Sequence, residues 1–253
     1  MKPYYENDNG VLYHGPCLDI MPELPDKSID MVLCDLPYGT TACKWDVIIP
    51  FEPLWAQYRR LIKDNGAIVL TASQPFTSAL VMSNPKMFKY CWVWEKNAPV
   101  GFLNARRMPL KNHEDVCVFS LGQPPYFPQG LKKANTKSSR KNGKTKKGGT
   151  YGAVRDIDYY AKECNFPRTV QRFKRVTNKQ IHPTQKPVAL MEYLIKTYTN
   201  EGETVLDNCL GSGTTAVACE NLGRKWIGIE KEEKYCKVAA DRIEAEMKQL
   251  KLF

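Results

Sequence analysis

A single carboxylate, followed by a rigid turn and an aromatic ring, is the first feature of this chain that could do chemistry. The apolar run 31–34 leads directly into Asp35 and then into the turn residues Leu36, Pro37, Tyr38 and Gly39. An apolar run bounded by turn residues predicts a buried strand, so Asp35 is expected at the carboxyl end of one. In an open α/β sheet, such ends face the ligand crevice. A carboxylate, a backbone carbonyl and a flat ring suit a planar base that carries an exocyclic amine. A strand end with a capping Asp is the structural alternative.

A glycine-rich turn in the second half of the chain is typical of a nucleotide site. The segment 204–207 predicts a strand, and Gly211 and Gly213 follow it before a predicted helix. Glycines let the backbone approach a ligand closely, and a carboxylate about 20 residues onward can bind ribose hydroxyls. Glu230 has that spacing. The last glycine of a dinucleotide fingerprint is missing, which favours a nucleoside-type cofactor over one that carries a pyrophosphate.

These residues need a sheet whose strand ends meet at one edge. The sequence predicts strands near 11–14, 30–34, 67–71, 90–94, 114–120, 204–207 and 225–230. Between them it predicts helices near 18–24, 51–63, 75–83, 188–195, 215–222 and 233–250. Strands that alternate with helices predict an α/β fold with a doubly wound, mostly parallel sheet covered on both faces.

The composition limits the class of protein and its partners. The chain has 253 residues, 43% of them hydrophobic, and a net charge of +10. This favours one sizeable core, with a polyanionic partner such as nucleic acid or an anionic membrane surface. No apolar run approaches the ~18–20 residues of a membrane-spanning helix. Nine Cys without a Cys-x-x-Cys pair argue against a disulfide framework or a metal site, and favour reduced thiols in the cytoplasm.

A basic segment of different character interrupts the predicted fold. Between 132 and 147 the chain carries eight Lys or Arg and no acidic residue, and between 151 and 177 basic residues alternate with aromatic ones. Basic and aromatic residues together suit contact with nucleic acid, while a solvated linker and a small-lobe core are the competing interpretations. We therefore predict a catalytic half at 1–122, a partly flexible target-recognition insertion at 123–178 and a cofactor-binding half at 179–253.

Three elements in a fixed order resemble the β-class amino-DNA methyltransferases. Asp35-Leu36-Pro37-Tyr38 resembles their Asp-Pro-Pro-Tyr motif, and 182–187 matches their His-Pro-Thr-Gln-Lys-Pro element. The segment 207–215 resembles their Asp-Pro-Phe-x-Gly-Ser-Gly-Thr-Thr loop. The resemblance covers nearly the whole chain except 123–178. It implies a Rossmann-like fold that uses S-adenosylmethionine.

The resemblance implies a role for each residue of the first motif. The acceptor would be an adenine N6 or cytosine N4 amine on a base flipped out of double-stranded DNA. Asp35 and the carbonyl of Leu36 would accept the amine hydrogens, Pro37 would hold the turn and Tyr38 would stack on the base. We expect adenine N6, the family's more frequent target, in a site-specific enzyme of the restriction-modification kind. Dimers are a family tendency.

The resemblance also implies a set of cofactor-binding residues, namely Cys17, Asp35, Thr184, Lys186, Asp207, Gly211, Ser212, Gly213, Thr214 and Glu230. The turn 211–214 would line the methionine part, and Thr184 and Lys186 would lie near its carboxylate. Glu230 would bind the ribose and Cys17 would contact the adenine.

The chain departs from the family pattern at several positions, which are Pro16, Leu36, Asn208 and Cys209. Leu36 keeps the backbone carbonyl, whereas Asn208 and Cys209 remove an aromatic contact to the cofactor. Two alternatives therefore stay open. One is methylation of RNA or of a protein amide, and the other is a basic DNA-binding protein whose cofactor pocket has decayed.

Overall fold

The structure, a computed structural model, describes residues 1–140, 157–177 and 185–250. The chain divides into two compact units. The larger consists of Met1–Phe127 and Thr169–Phe253, and the smaller of Pro128–Arg168. No helix of the described part is both long and apolar enough to cross a lipid bilayer.

The secondary structure alternates as the sequence predicts. The strands are β1 (Tyr5–Glu6), β2 (Gly10–His14), β3 (Ile29–Asp35), β4 (Ile62–Ala72), β5 (Phe88–Val100), β6 (Lys111–Phe119), β7 (Lys132–Arg140), β8 (Ile157–Cys164), β9 (Val170–Phe173), β10 (Thr204–Asp207) and β11 (Lys225–Glu230). The helices are α1 (Cys17–Ile20), α2 (Phe51–Leu61), α3 (Phe76–Ser83), α4 (Val188–Tyr198), α5 (Thr214–Asn221) and α6 (Glu233–Leu250).

The larger unit is built on a nine-stranded sheet in the order β1-β2-β11-β10-β3-β4-β6-β5-β9. The two middle strands β3 and β10 are parallel, with Met31 opposite Val205. From β3 the chain runs through α2 to β4 on one side, and from β10 through α5 to β11 on the other. The winding direction therefore reverses between β3 and β10, which is where open α/β sheets bind ligands. The predicted doubly wound, mostly parallel sheet is confirmed.

The central strand β3 carries apolar side chains on both faces of the sheet, and helices cover both faces. Met31 and Leu33 pack in a core layer with α4, α5 and α6. Val32 and Cys34 point the other way, into a layer with α1, α2 and α3. All four side chains are fully buried, and burial of a side chain of this size contributes about 2 kcal/mol. The strand that ends in Asp35 is thus fixed from both sides.

The smaller unit contains a two-stranded antiparallel sheet of β7 and β8, with Lys132 opposite Cys164. The Asn165 side chain donates a hydrogen bond to the carbonyl of Gly130 at 2.7 Å. Two strands therefore lie within the insertion that the sequence predicts to be partly flexible. The strand β9 also lies within the predicted insertion, and it pairs with β5 in the sheet of the larger unit.

Candidate active site

The two predicted motifs line one cleft at the carboxyl ends of β3 and β10. The cleft has a volume of about 650 Å³, within the usual range for small-molecule sites. Its lining includes Cys17, Asp35, Leu36, Pro37, Tyr38, Lys186, Asp207, Asn208, Cys209, Gly211, Ser212, Thr214 and Glu230. The structure therefore brings together most of the residues that the sequence singles out.

The Asp35 carboxylate is held by three donors from different elements. Its Oδ1 accepts hydrogen bonds from the Tyr38 hydroxyl at 2.8 Å and from the Thr71 hydroxyl. Its Oδ2 accepts one from the Lys186 ammonium at 2.5 Å. Because the donors come from the turn, from β4 and from the segment before α4, both the position and the orientation of the carboxylate are fixed.

A buried charge network extends from Asp35 into the sheet. The Lys186 Nζ lies 3.4 Å from the Glu114 Oε2, and the Lys96 ammonium binds the other oxygen of Glu114. Burial alone would lower the pKa of Lys186, but Asp35 and Glu114 raise it above its usual value. Burial alone would raise the pKa of Glu114, but Lys186 and Lys96 lower it. The positive charges of Lys186 and Lys96 therefore compensate the negative charges of Asp35 and Glu114 beside the cleft.

Glu114 and Lys96 are site residues that the sequence analysis missed. They lie on β6 and β5, and Lys96 follows the aromatic run of β5. The one signal that could have found Glu114 is its place next to Asp115, since two adjacent carboxylates precede the apolar residues of a strand. Charged residues at the inner end of a strand need partners to be buried.

The Tyr38 ring has one neighbour that the sequence did not suggest. It stacks on the Phe76 ring with 5.2 Å between ring centroids and 25° between planes. Burial is the main cause that raises the pKa of the Tyr38 hydroxyl well above its usual value. The hydroxyl therefore stays protonated and can donate to Asp35. Stacking of Tyr38 on a base remains a prediction.

The loop after Tyr38 is closed by the Asp46 carboxylate, which accepts hydrogen bonds from three successive backbone N–H groups. The donors are Gly39 at 2.9 Å, Thr40 at 2.9 Å and Thr41 at 2.7 Å. Burial would raise the pKa of Asp46, but the Thr41 hydroxyl and these N–H groups lower it. The neighbouring Trp45 lines the cleft. Asp46 thus gives shape to a loop that lies between the predicted strand 30–34 and the predicted helix 51–63.

Glu230 joins the glycine turn to the end of β11. Its Oε2 accepts a hydrogen bond from the Gly211 N–H at 2.7 Å, and its Oε1 accepts one from the Glu232 N–H at 2.8 Å. A carboxylate has about four acceptor positions, so this one can still receive the two hydroxyls of a ribose. Burial is the main cause that raises its pKa above the usual value.

The Asp207 carboxylate holds the two ends of the glycine turn by hydrogen bonds. Its Oδ2 accepts a hydrogen bond from the Thr215 hydroxyl at 2.6 Å, and its Oδ1 accepts one from the Cys209 N–H at 3.1 Å. Burial raises the pKa of Asp207 to about 6.

Gly213 has φ +80°, and a Cβ there would lie 3.1 Å from the Ala239 Cβ. Gly213 is absent from the described lining of the cleft, so its small size serves the packing of α5 on α6.

The departures from the family pattern have structural partners here. Asn208 is buried and accepts a hydrogen bond from the Tyr58 hydroxyl at 2.6 Å. A contact with the Cys209 thiol, followed by burial, raises the pKa of the Cys17 thiol. Both cysteines and Pro16 line the cleft. The departing residues therefore line a formed cleft, and Asn208 has a hydrogen-bond partner, which argues against a decayed pocket.

Thr184 and Lys186 are the two residues predicted to lie near the carboxylate of the cofactor. Thr184 and the rest of 178–184 lie outside the described residues. Lys186, expected near the cofactor's carboxylate, contacts Asp35 and Glu114 in this structure. Among the described residues, no group of three or more His, Cys, Asp or Glu is placed to hold a metal ion.

Curated relatives match over almost the full chain. Type II methyltransferase M2.LlaDCHI of Lactococcus lactis subsp. cremoris is 27% identical, with 96% of this chain and 92% of that protein aligned. Type II methyltransferase M2.MboI of Moraxella bovis is 29% identical, with 96% and 91% aligned.

Solved structures match as well. The structure of the M1.HpyAVI–SAM complex has a TM-score of 0.61 and 27% identity, and the match covers 91% of this chain and 98% of that one. PvuII DNA methyltransferase, described as cytosine-N4-specific, has a TM-score of 0.67 over 97% of this chain and 93% of that one. Its identity is 17%, so it supports the fold alone.

The family profile agrees with the geometry. A profile described as "DNA methylase" matches residues 29–241, which include both motifs and most of the residues that line the cleft. The expected cofactor, DNA substrate and restriction-modification relationship are confirmed by these matches. The chain belongs to the DNA methylase family, as an S-adenosylmethionine-dependent methyltransferase that acts on amino groups of DNA.

Proposed function

We propose that the protein methylates adenine N6 at a specific sequence in duplex DNA, with Asp35 as the residue that orients the amine. One observation carries the proposal: Asp35, the glycine turn and Glu230 line the same cleft at the switch point of the sheet. The acceptor and donor halves of a transfer site therefore face one another.

The Asp35 carboxylate and the Leu36 carbonyl accept the two hydrogens of the exocyclic amine. With both hydrogens held, the nitrogen lone pair is directed toward the cofactor half of the cleft. The donors from Tyr38, Thr71 and Lys186 keep Asp35 in place while this happens. Catalysis is then mainly positioning, which can supply about 7–11 kcal/mol of the barrier.

The cofactor half provides a shape and a hydroxyl acceptor. Bound S-adenosylmethionine supplies an electrophilic methyl group on a sulfonium, and breaking of the sulfur–methyl bond leaves a neutral thioether. Gly211, Ser212 and Thr214 line the space for the methionine part, Glu230 receives the ribose hydroxyls, and Cys17 faces the adenine. After transfer the amine nitrogen carries one surplus proton, which an Asp35 oxygen accepts and releases to water.

Nucleoside analysis tests the proposal. The protein is incubated with methyl-labelled S-adenosylmethionine and unmethylated genomic DNA, and the DNA is digested to nucleosides. We expect the label in N6-methyladenine, and sequencing of the methylated DNA then gives the recognition site. Label in N4-methylcytosine would overturn the choice of adenine. Label in 5-methylcytosine, or none in DNA, would overturn the assignment of Asp35 as well.

We also propose a homodimer, the assembly that the family resemblance implies. The chain has a mass of 28.9 kDa, so sedimentation equilibrium separates monomer from dimer directly. A monomer at micromolar concentration, with and without DNA, would contradict the dimer but not the methyl transfer.

A further inference from the structure

The connection between β5 and β6 exposes an unusual set of apolar side chains. We define the β5–β6 tip as residues 101–110. Phe102 is 77% exposed and Leu103 is 85% exposed, and Met108 and Leu110 are exposed beside them. Single exposed apolar residues are ordinary, but several on one projection mark an interaction surface.

The tip holds these side chains on hydrogen-bonded turns. The Asn104 N–H donates to the Gly101 carbonyl at 2.9 Å, and the Ala105 N–H donates to the Phe102 carbonyl at 3.0 Å. The Met108 N–H donates to the Asn104 carbonyl at 3.0 Å. Because the backbone is already ordered, a partner would not have to bear that part of the binding entropy.

The charge of the tip selects the kind of partner. Arg106 and Arg107 lie on it, Lys111 follows it, and no acidic residue occurs between Glu95 and Glu114. A polyanion complements this surface. A second copy of the same tip would place like charges together, which disfavours a tip-to-tip contact.

The position of the tip relates it to the transfer site. Its two ends, Val100 and Lys111, are register partners, and both line the cleft that contains Asp35. The tip therefore starts at the rim over which a target base must pass. A base that leaves the duplex breaks stacking at a cost of a few kcal/mol, and proteins offset this cost by inserting apolar side chains into the stack.

We propose that the β5–β6 tip is a wedge for duplex DNA. Phe102 and Leu103 enter the base stack where the target nucleotide leaves it, and Arg106 and Arg107 bind the flanking phosphates. The inference rests on the proposed function and names the device that opens the duplex for it.

Removal of the apolar tip tests the wedge. The double variant Phe102→Ala/Leu103→Ala is compared with Met82→Ala, a matched control because Met82 is 71% exposed, lies on α3 and is absent from the described cleft lining. The substrates are two duplexes with the sequenced site, one fully paired and one with a mispaired target base. We expect the double variant to lose about tenfold or more in kcat/KM on the paired duplex and less than about threefold on the mispaired one.

The base-flipping step is measured separately from methyl transfer. With 2-aminopurine at the target position, the wild-type protein and Met82→Ala should raise its fluorescence, and the double variant should not. The variant Arg106→Ala/Arg107→Ala should bind paired DNA more weakly and lower the slope of log affinity against log salt by about two. All variants should keep the wild-type unfolding midpoint, because the changed side chains are exposed.

The outcomes separate this inference from the proposed function. An active wild-type protein with a double variant that equals Met82→Ala on both duplexes overturns the wedge alone. A wild-type protein that transfers no methyl group to DNA overturns the proposed function, and the wedge with it. A double variant that is monomeric where the wild-type protein is dimeric assigns the tip to self-association and also overturns the wedge.

Discussion

At the scale of single residues, the Asp35 carboxylate already accepts hydrogen bonds from protein donors, and it must accept one from the amine when the base binds. In this structure its oxygens receive hydrogen bonds from Tyr38, Thr71 and Lys186. An incoming amine must share or displace one of them. Lys186 is the donor that can most easily leave Asp35, because Glu114 Oε2 lies 3.4 Å from its ammonium and can accept its hydrogen bond instead.

Replacing Asp35 by Ala should abolish methyl transfer while DNA affinity stays within about twofold of wild type. The carboxylate orients the amine, and it lies in the cleft and not on a phosphate-binding surface. We expect a loss of about 10³-fold in kcat, measured with labelled cofactor under saturating DNA. Asp26→Ala, which removes an exposed carboxylate that pairs with Arg60, is the control and should keep full turnover. Retained turnover in Asp35→Ala would refute the assigned role.

Glu114→Gln should reduce kcat by about tenfold and leave the affinity for S-adenosylmethionine within about twofold. The Gln side chain keeps an amide oxygen but loses the negative charge, so it is a weaker acceptor for the Lys186 ammonium, which stays bound to Asp35. The matched control is Glu95→Gln, whose ion pair with Arg172 is largely exposed and contributes little. A fall in cofactor affinity with unchanged kcat would contradict this role.

The same substitution has a pH signature in stability. The pKa of Glu114 lies below its usual value in the folded protein, so its stabilisation is present above about pH 4.5 and is lost as the pH falls through the folded pKa. The difference in unfolding free energy between wild type and Glu114→Gln, about 2 kcal/mol at pH 7, should therefore shrink in acid. Urea titrations at pH 7 and at a series of pH values below about 4.5 measure it.

Residue types along the chain predict some of these contacts and not others. Asp35 and Tyr38 are three positions apart, so their proximity follows from the turn. Lys186 is 151 positions from Asp35, and Thr71 and Glu114 come from two other strands. Such partners depend on strand order, which local pattern does not encode.

At the scale of elements, the central strands were predictable because they are apolar on both sides. The segment 30–34 and the segment 204–207 both appear as strands, and their ends meet where the topology reverses. The long extension of β5 to Val100 was not predicted, because Asn97 and Pro99 lack strand propensity. The register with β6 shifts between Glu95 and Val100, and the antiparallel hairpin resumes where Val100 pairs with Lys111.

The end of β10 carries a buried acid whose ionisation costs stability. Burial raises the pKa of Asp207 to about 6, above its unfolded value of 3.8. A raised folded pKa of an acid means that the cost is full above about pH 6 and disappears as the pH falls toward the unfolded value. The wild-type protein should thus lose this penalty between pH 6 and about pH 4.

Asp207→Asn should therefore raise the unfolding free energy by about 2 kcal/mol at pH 8. The amide oxygen can still accept from the Cys209 N–H, and the amide nitrogen can donate to the Thr215 hydroxyl, so the turn is preserved. The gain should fall toward zero at pH 4. Denaturant unfolding at both pH values measures it, and a variant that is less stable at pH 8 would show that the carboxylate is needed in its ionised form.

At the scale of the whole molecule, excess positive charge is the property that sequence predicts most directly. The net charge is +10, and part of the surplus lies in the basic segment between 132 and 147. The positive charge of this segment does not predict the pairing of β7 with β8. The strand Lys132–Arg140 has almost no apolar residues, so it lacks the alternating pattern that indicates a strand. Its register comes from backbone hydrogen bonds with a distant strand.

The smaller unit should contribute to DNA affinity through charge. Lys132 and Lys133 are exposed on β7, and each phosphate that such a residue neutralises adds about 0.9 to the slope of log affinity against log salt. The variant Lys132→Ala/Lys133→Ala should bind duplex DNA more weakly at 50 mM salt and lower that slope by about two. It should leave the affinity for S-adenosylmethionine unchanged, since every described residue that lines the cleft belongs to the larger unit.

A matched pair of lysines outside the basic segment distinguishes local contact from net charge. Lys86→Ala/Lys237→Ala removes the same two charges from exposed positions before β5 and on α6. If the basic segment binds the phosphates, only the Lys132 and Lys133 variant should lower the slope. Equal slopes for the two double variants would mean that the total charge of the molecule attracts DNA, and that Lys132 and Lys133 make no phosphate contact of their own.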